Sequence, residues 1–173
     1  MGMVASIYAK LFGKQNAVGA IYDFSLKDIQ GREIHFEDYR GRKLLIVNTA
    51  SRCGFTPQYA DLEKLHRTYS DKITVLGFPS NNFMWQDPAS NEDIYTFCKQ
   101  NYDVTFKMFS KISVRGRTKH PLYRWLYAQT GKLPTWNFCK YIVSEDGRRV
   151  SFFSSKVGPM DPAIIGEISD VKL

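Results

Sequence analysis

Apolar and polar positions change period several times along this chain, and each change marks an element. Roughly alternating apolar residues over 21–26 and 34–36, separated by a Gln30-Gly31 turn, predict an antiparallel hairpin at one edge. The unbroken runs Leu44-Leu45-Ile46-Val47 and Ile73-Thr74-Val75-Leu76-Gly77-Phe78 predict strands covered on both faces. Between them Tyr59, Leu62, Leu65 and Tyr69 recur at helical spacing, with Asp61, Glu63, Lys64 and Arg67 on other faces and Pro57 suited to a first turn. A helix joining two such strands makes a β-α-β unit, and the strands it joins run parallel.

Ser90 followed by Asp93 resembles a capping box, and Ile94, Phe97 and Cys98 follow on one helical stripe. Pro121 opens a further helix carrying Leu122, Trp125 and Leu126, which Gly131 ends. Strands over 138–143 and 150–153 flank an Asp146-Gly147 turn, and Asp161-Pro162 opens a last helix. The order β-β-β-α-β-α-α-β-β-α describes an α/β protein, a mixed sheet with helices on both faces. With no repeat, low-complexity tract or linker, the expectation is one domain over 21–173 preceded by an N-terminal extension over 1–20.

The 173 residues, 43% hydrophobic and 24% charged, suffice for one compact core. No apolar run approaches the roughly 20 residues of a membrane span, and Lys10 interrupts the N-terminal apolar stretch too early for a secretory signal. A net charge of +7 raises nucleic-acid binding, but the cations are scattered, and the densest stretch, Arg115-Gly116-Arg117-Thr118-Lys119-His120, lacks interleaved aromatics. Nucleic acid is therefore not expected; a solvated surface, or a basic rim attracting an acidic protein partner, is. Three cysteines without close spacing argue against a disulfide framework and a zinc site and for a reducing compartment, the cytoplasm. His35, His66 and His120 are dispersed, so neither metal nor cofactor is expected.

Chemistry enters with Cys53. The strand over 44–47 feeds through Asn48-Thr49-Ala50-Ser51-Arg52 into Cys53-Gly54-Phe55-Thr56-Pro57 and then into a helical pattern. A thiol at a strand-to-helix junction meets backbone N–H groups and the positive end of the helix dipole, both of which favour the nucleophilic thiolate. Two further segments belong beside it, the stretch from Gly77-Phe78-Pro79-Ser80-Asn81-Asn82-Phe83 to Gln86-Asp87-Pro88, and Trp136-Asn137-Phe138. The first two should finish on one edge of a parallel sheet, where open α/β folds gather their ligands, and the third reaches that edge if its strand runs antiparallel.

With these residues in view, the chain resembles the glutathione peroxidase family, a branch of the thioredoxin fold, from about Ile21 to the C-terminal helix. The blocks N-T-A-S-R-C-G-F-T, G-F-P-S-N-N-F-M-W-Q-D-P and W-N-F carry the likeness. The resemblance implies a thioredoxin fold with a central mixed sheet and an N-terminal hairpin, a hydroperoxide substrate, and a site of Cys53, Gln86, Trp136 and Asn137, with cysteine where the best-known animal members carry selenocysteine. Peroxide reduction suits that set, because the site must stabilise an anion first on sulfur and then on oxygen, and neutral N–H donors do so without adding charge. The family has two branches, one reduced by glutathione and one forming an internal disulfide reduced by thioredoxin or a relative. Cys98 is the candidate resolving thiol that the resemblance implies, in the helix after Q-D-P where the second branch often has one. The short segment over 125–134, where tetrameric glutathione-using members carry an insertion, implies a monomer with a protein reductant. Met84-Trp85 departs from the family pattern by placing bulk beside Gln86.

Each assignment has a plainer reading. Cys53 would otherwise be an inert buried thiol, Gln86 a loop amide, Trp136 a core aromatic and Asn137 a turn residue. Cys98, on the apolar stripe, is equally expected as a core cysteine, Cys139 reads as structural, and Asp87 before Pro88 reads as a turn residue. Two other functions stay open: a one-cysteine peroxidase resolved by glutathione, and a non-enzymatic sensor that relays oxidation to a partner.

Overall fold

The computed structural model describes residues 19–170, so almost all of the expected N-terminal extension lies outside the described residues. In chain order the elements are β1 (Ser25–Lys27), β2 (Glu33–His35), β3 (Lys43–Thr49), α1 (Gln58–Thr68), β4 (Ile73–Pro79), α2 (Asn91–Tyr102), β5 (Lys107–Met108), α3 (Pro121–Thr130), β6 (Lys140–Val143), β7 (Val150–Phe153) and α4 (Pro162–Ser169). β1 and β2 form a separate antiparallel pair, and the main sheet runs β5-β4-β3-β6-β7. β4 is parallel to both β3 and β5, whereas β6 is antiparallel to β3 and β7.

All seven residues of β3 are buried, as its unbroken apolar run requires of a central strand. Leu45 and Val47 face a layer that includes Tyr59, Leu62 and Leu65 of α1, Ile94 and Cys98 of α2, and Ile164 and Ile168 of α4. Leu44 and Ile46 face the opposite layer, built from Leu122, Tyr123 and Leu126 of α3 together with Ile21, Tyr22 and Phe36. The caps behave as their residue types dictate: Ser90 Oγ accepts the Asp93 N–H at 3.1 Å, Asp161 Oδ1 accepts the Ala163 N–H at 2.9 Å, and Gly131 ends α3 with φ of 65°.

The structure corrects three boundaries. The strand expected over 21–26 is a 3-10 turn over Ile21–Asp23 followed by the short β1. Ile21 and Tyr22 are adjacent and both buried, which a hairpin strand covered on one face only would not give, and the Ile21 N–H bonds Gly147 O at 3.0 Å. Phe36 likewise leaves its strand for a 3-10 turn over Phe36–Tyr39. β6 begins at Lys140 rather than at 138, because Phe138 takes a left-handed backbone with φ of 64°. The two-residue β5 carried too little pattern to be read in advance.

Candidate active site

The parallel pairing of β3 and β4 sets Thr49 opposite Pro79, so both strands end on one edge of the sheet. β6 runs the other way, with Lys140 opposite Val47, so the segment entering β6 starts from that same edge. The expected convergence of three remote segments follows, and backbone bonds stitch it: Phe138 N–H to Asn48 O at 2.6 Å and Ser80 N–H to Thr49 O at 3.0 Å. Asn48 Nδ2 adds a bond to Trp136 O at 2.9 Å. The left-handed Phe138 is braced by the buried Lys140, whose ammonium donates to Phe138 O at 2.7 Å and Val157 O at 2.6 Å, while burial pulls its pKa down to about 8.

Cys53 is 9% exposed and lies five residues before α1 begins at Gln58, held by a run of tight turns rather than by the first turn of the helix. Its N–H donates to Thr56 Oγ1 at 2.9 Å, and the Thr56 hydroxyl in turn donates to Ala50 O at 2.9 Å. The Phe55 N–H points at the sulfur, 3.3 Å from Sγ. The sulfur thus has a backbone donor of its own from the loop that follows it. The donor is a neutral amide, so it hydrogen-bonds the sulfur without adding a charge of its own.

The Gln86 segment closes over the loop that leads into Cys53. Arg52 N–H bonds Gln86 O at 2.9 Å, and Ser51 N–H bonds Asp87 Oδ1 at 3.1 Å. The side chains of the two amides meet directly, Asn137 Nδ2 donating to Gln86 Oε1 at 2.9 Å. Trp136 packs its ring against Phe83, with centroids 5.7 Å apart. Gln86 and Asn137 are therefore brought together, and Gln86 is tied to the residue before Cys53, whereas no hydrogen bond joins Gln86, Trp136 or Asn137 to the sulfur. Gln86 Nε2 and Trp136 Nε1 are not committed to any partner among the described residues, so both remain available as neutral donors.

Cys98 lies on α2, 1% exposed, in the same core layer as Cys53. Burial pushes its thiol up to about 11, against the pull of the neighbouring Tyr59 hydroxyl. Cys139 is fully buried with Sγ 3.4 Å from Ser155 Oγ, in keeping with its structural reading. All three cysteines are free thiols.

Two contributors do more in the structure than their sequence reading assigned them. Thr56 clamps the Cys53 turn, and its signal was only the C-G-F-T-P string. Asp87, read as a turn residue, is fully buried, bonds the loop ahead of Cys53 through Oδ1 and leaves Oδ2 without a hydrogen bond. Burial raises its pKa to about 6, against the Ser51 donors and the charges of Lys111 and Arg52. Among the described residues, no group of three or more His, Cys, Asp or Glu side chains is gathered as a metal site.

Comparison with known proteins places this geometry in a family. The family model for glutathione peroxidase matches residues 21–127. A glutathione peroxidase of Lactococcus lactis is 46% identical over 143 residues, which are 80% of this chain and 91% of that protein. The Escherichia coli thioredoxin/glutathione peroxidase BtuE is 40% identical over 168 residues, covering 83% and 92%. A solved structure, Trgpx in apo form, superposes with a TM-score of 0.68 at 34% identity, covering 88% of this chain and 97% of that one. The architecture is a thioredoxin fold with an added antiparallel pair, β1-β2, and the chain belongs to the glutathione peroxidase family, a family of peroxidases.

Proposed function

We propose that the chain is a thiol peroxidase in which Cys53 is the peroxidatic residue and Cys98 the resolving one. The observation that carries this reading is the meeting of Asn137 Nδ2 with Gln86 Oε1 on a segment whose backbone is bonded to Arg52, the residue before Cys53. The Cys53 thiolate attacks one peroxide oxygen, the O–O bond breaks, and the other oxygen leaves as water or an alcohol after taking a proton. Sulfur loses two electrons and becomes a sulfenic acid, and the peroxide gains them. The free N–H groups of Gln86 and Trp136 are suited to stabilising charge on sulfur and then on the departing oxygen. The second N–H of the Asn137 amide adds to the same field while the first fixes the Gln86 side chain.

Cys98 then attacks the sulfenic sulfur, water leaves, and a Cys53–Cys98 disulfide forms. A thioredoxin-like dithiol reduces it by exchange, and a relative named as a thioredoxin/glutathione peroxidase supports a protein donor. Because Cys98 is buried with its thiol held protonated, α2 must open locally for this step. No helix among the described residues is long and apolar enough to cross a membrane, and the cycle we propose runs in a monomer in the reducing cytoplasm.

Peroxide consumption with a thioredoxin system or with glutathione as sole donor tests the assignment. Cys53→Ser should abolish turnover with both donors. Cys98→Ser should lose thioredoxin-driven turnover while still consuming one equivalent of peroxide per Cys53. Undiminished thioredoxin turnover in Cys98→Ser would instead make Cys98 a core residue and glutathione-type direct resolution the mechanism.

A further inference from the structure

We propose that Met84 and Trp85, with the cations of Arg52, Arg115, Arg117 and Lys119 around them, form the docking surface for the protein that reduces this enzyme, a partner presenting an apolar patch bordered by carboxylates. The inference rests on the thiol-peroxidase reading and specifies its partner.

Among the described residues Met84 and Trp85 are the most exposed large hydrophobic side chains, at 70% and 77%. They are consecutive and both left-handed, with φ of 54° and 49°, a conformation that costs free energy in a residue other than glycine and persists only where the surroundings enforce it. The surroundings do so here: Gln86 N–H bonds Phe83 O at 3.2 Å, Gln86 O accepts the Arg52 N–H at 2.9 Å, and Asp87 N–H bonds Asn81 Oδ1 at 3.1 Å. A clamped turn that holds two large apolar side chains in solvent is already organised for contact, so little conformational freedom is lost on binding.

Charge decides what kind of partner fits. Arg32, Arg40, Lys43, Arg67 and Lys107 are engaged in ion pairs. Arg52, Arg115 and Arg117 are exposed, Lys119 is half-buried, and none of the four makes an ion pair among the described residues. Hydrogen bonds tie the two segments that carry them to the segment bearing the apolar pair. Arg52 is bonded through its backbone to Gln86, and the loop bearing the other three is tied to Asn82 by bonds from Ser113 and Val114 to Asn82 Oδ1, at 3.3 and 2.6 Å. Unpaired cations beside an unpaired apolar knob ask for carboxylates around an apolar patch. Tryptophan and arginine are also the residue types that dominate protein–protein contact energy. Two side chains bury far less apolar area than a single acyl chain, which by itself gives only marginal membrane binding, so a lipid surface fits less well.

The test uses the full-length protein with thioredoxin, thioredoxin reductase and NADPH, alongside stopped-flow oxidation of the reduced enzyme by hydrogen peroxide. Trp85→Asn suits a left-handed position and removes the apolar ring. It should raise the KM for thioredoxin about tenfold, the loss typical of one strong interface residue. Trp85→Phe should restore most of that loss. Arg117→Glu combined with Lys119→Glu should also raise this KM and flatten its dependence on salt. An unchanged thioredoxin KM in Trp85→Asn and in the charge reversal would overturn the docking surface. So would a Trp85→Asn variant that keeps its thioredoxin KM but no longer sediments with phosphatidylcholine–phosphatidylserine vesicles to which the wild type binds. A wild type that peroxide oxidises but thioredoxin does not reduce removes the partner and leaves the peroxidatic chemistry standing. A wild type inert to peroxide removes the proposed function itself.

Discussion

At the scale of single residues, the proposed chemistry asks uncharged groups to hold negative charge. Asn137 spends one N–H on Gln86 Oε1, and that bond sets which end of the Gln86 amide faces outward. Asn137→Ala should lower the rate of Cys53 oxidation by about 10- to 100-fold through a disordered Gln86, in the range found when one anion-stabilising donor is lost. Stopped-flow oxidation measures it, and a rate within twofold of wild type would separate Asn137 from catalysis. Asp87 makes a pH prediction with a definite sign. Its folded pKa of about 6 lies above the ordinary 3.8, so between these values the unfolded chain ionises while the folded one keeps its proton. Stability therefore falls as pH rises through that window, by up to about 3 kcal/mol, and stays lower above it. Asp87→Asn should gain stability over wild type at pH 7 and lose the advantage near pH 4, as denaturant melts at the two pH values would show. A difference that does not change with pH would mean that Asp87 ionises freely.

At the scale of elements, α1 does more than cover the sheet. Its buried Glu63 accepts the Thr105 N–H at 2.8 Å and the Phe106 N–H at 3.4 Å, takes the Thr105 hydroxyl, and pairs with Arg67 at 2.7 Å. Burial opposes the charge, but these donors outweigh it and hold the pKa below the ordinary range. That stability is present above about pH 4.5 and is lost as pH falls through the lower folded value. Glu63→Ala strands two backbone donors ahead of β5 and should cost about 2–4 kcal/mol in a chemical melt. The proposed resolving role gives α2 the opposite task, since the buried Cys98 could then react only if its helix opens. Hydrogen exchange should show α2 amides losing protection when Cys53 is oxidised by peroxide, while β3 and β4 stay protected. Equal protection of α2 in both redox states would contradict the resolving role.

At the scale of the whole molecule, a net charge of +7 leaves many cations without a carboxylate partner among the described residues, those on the loops tied to the Met84-Trp85 turn among them. Long-range attraction of an acidic reductant should then raise its association rate at low salt. The kcat/KM for thioredoxin should fall several-fold between about 10 and 200 mM salt, over which the screening length shrinks from about 30 Å to below 10 Å. Oxidation by neutral hydrogen peroxide should barely change over the same range, and parallel salt curves for both steps would exclude steering of the partner. Sedimentation equilibrium should return the mass of a single 20.0 kDa chain.

The order and type of most elements, the caps at Ser90, Asp161 and Gly131, and the convergence of the segments bearing Cys53, Gln86, Trp136 and Asn137 on one sheet edge were legible in the chain itself. Periodicity and capping are local properties, and the site residues stand in recognisable strings at strand ends. What only the tertiary structure decided is who meets whom. The Asn137–Gln86 bond, the Thr56 clamp, the burial of Asp87 and Cys98, and the 3-10 turn at Ile21–Asp23 all depend on segments far apart in sequence closing on one another. Burial sets the pKa of Asp87 and the reactivity of Cys98, and burial belongs to the assembled core rather than to any stretch of residues within it.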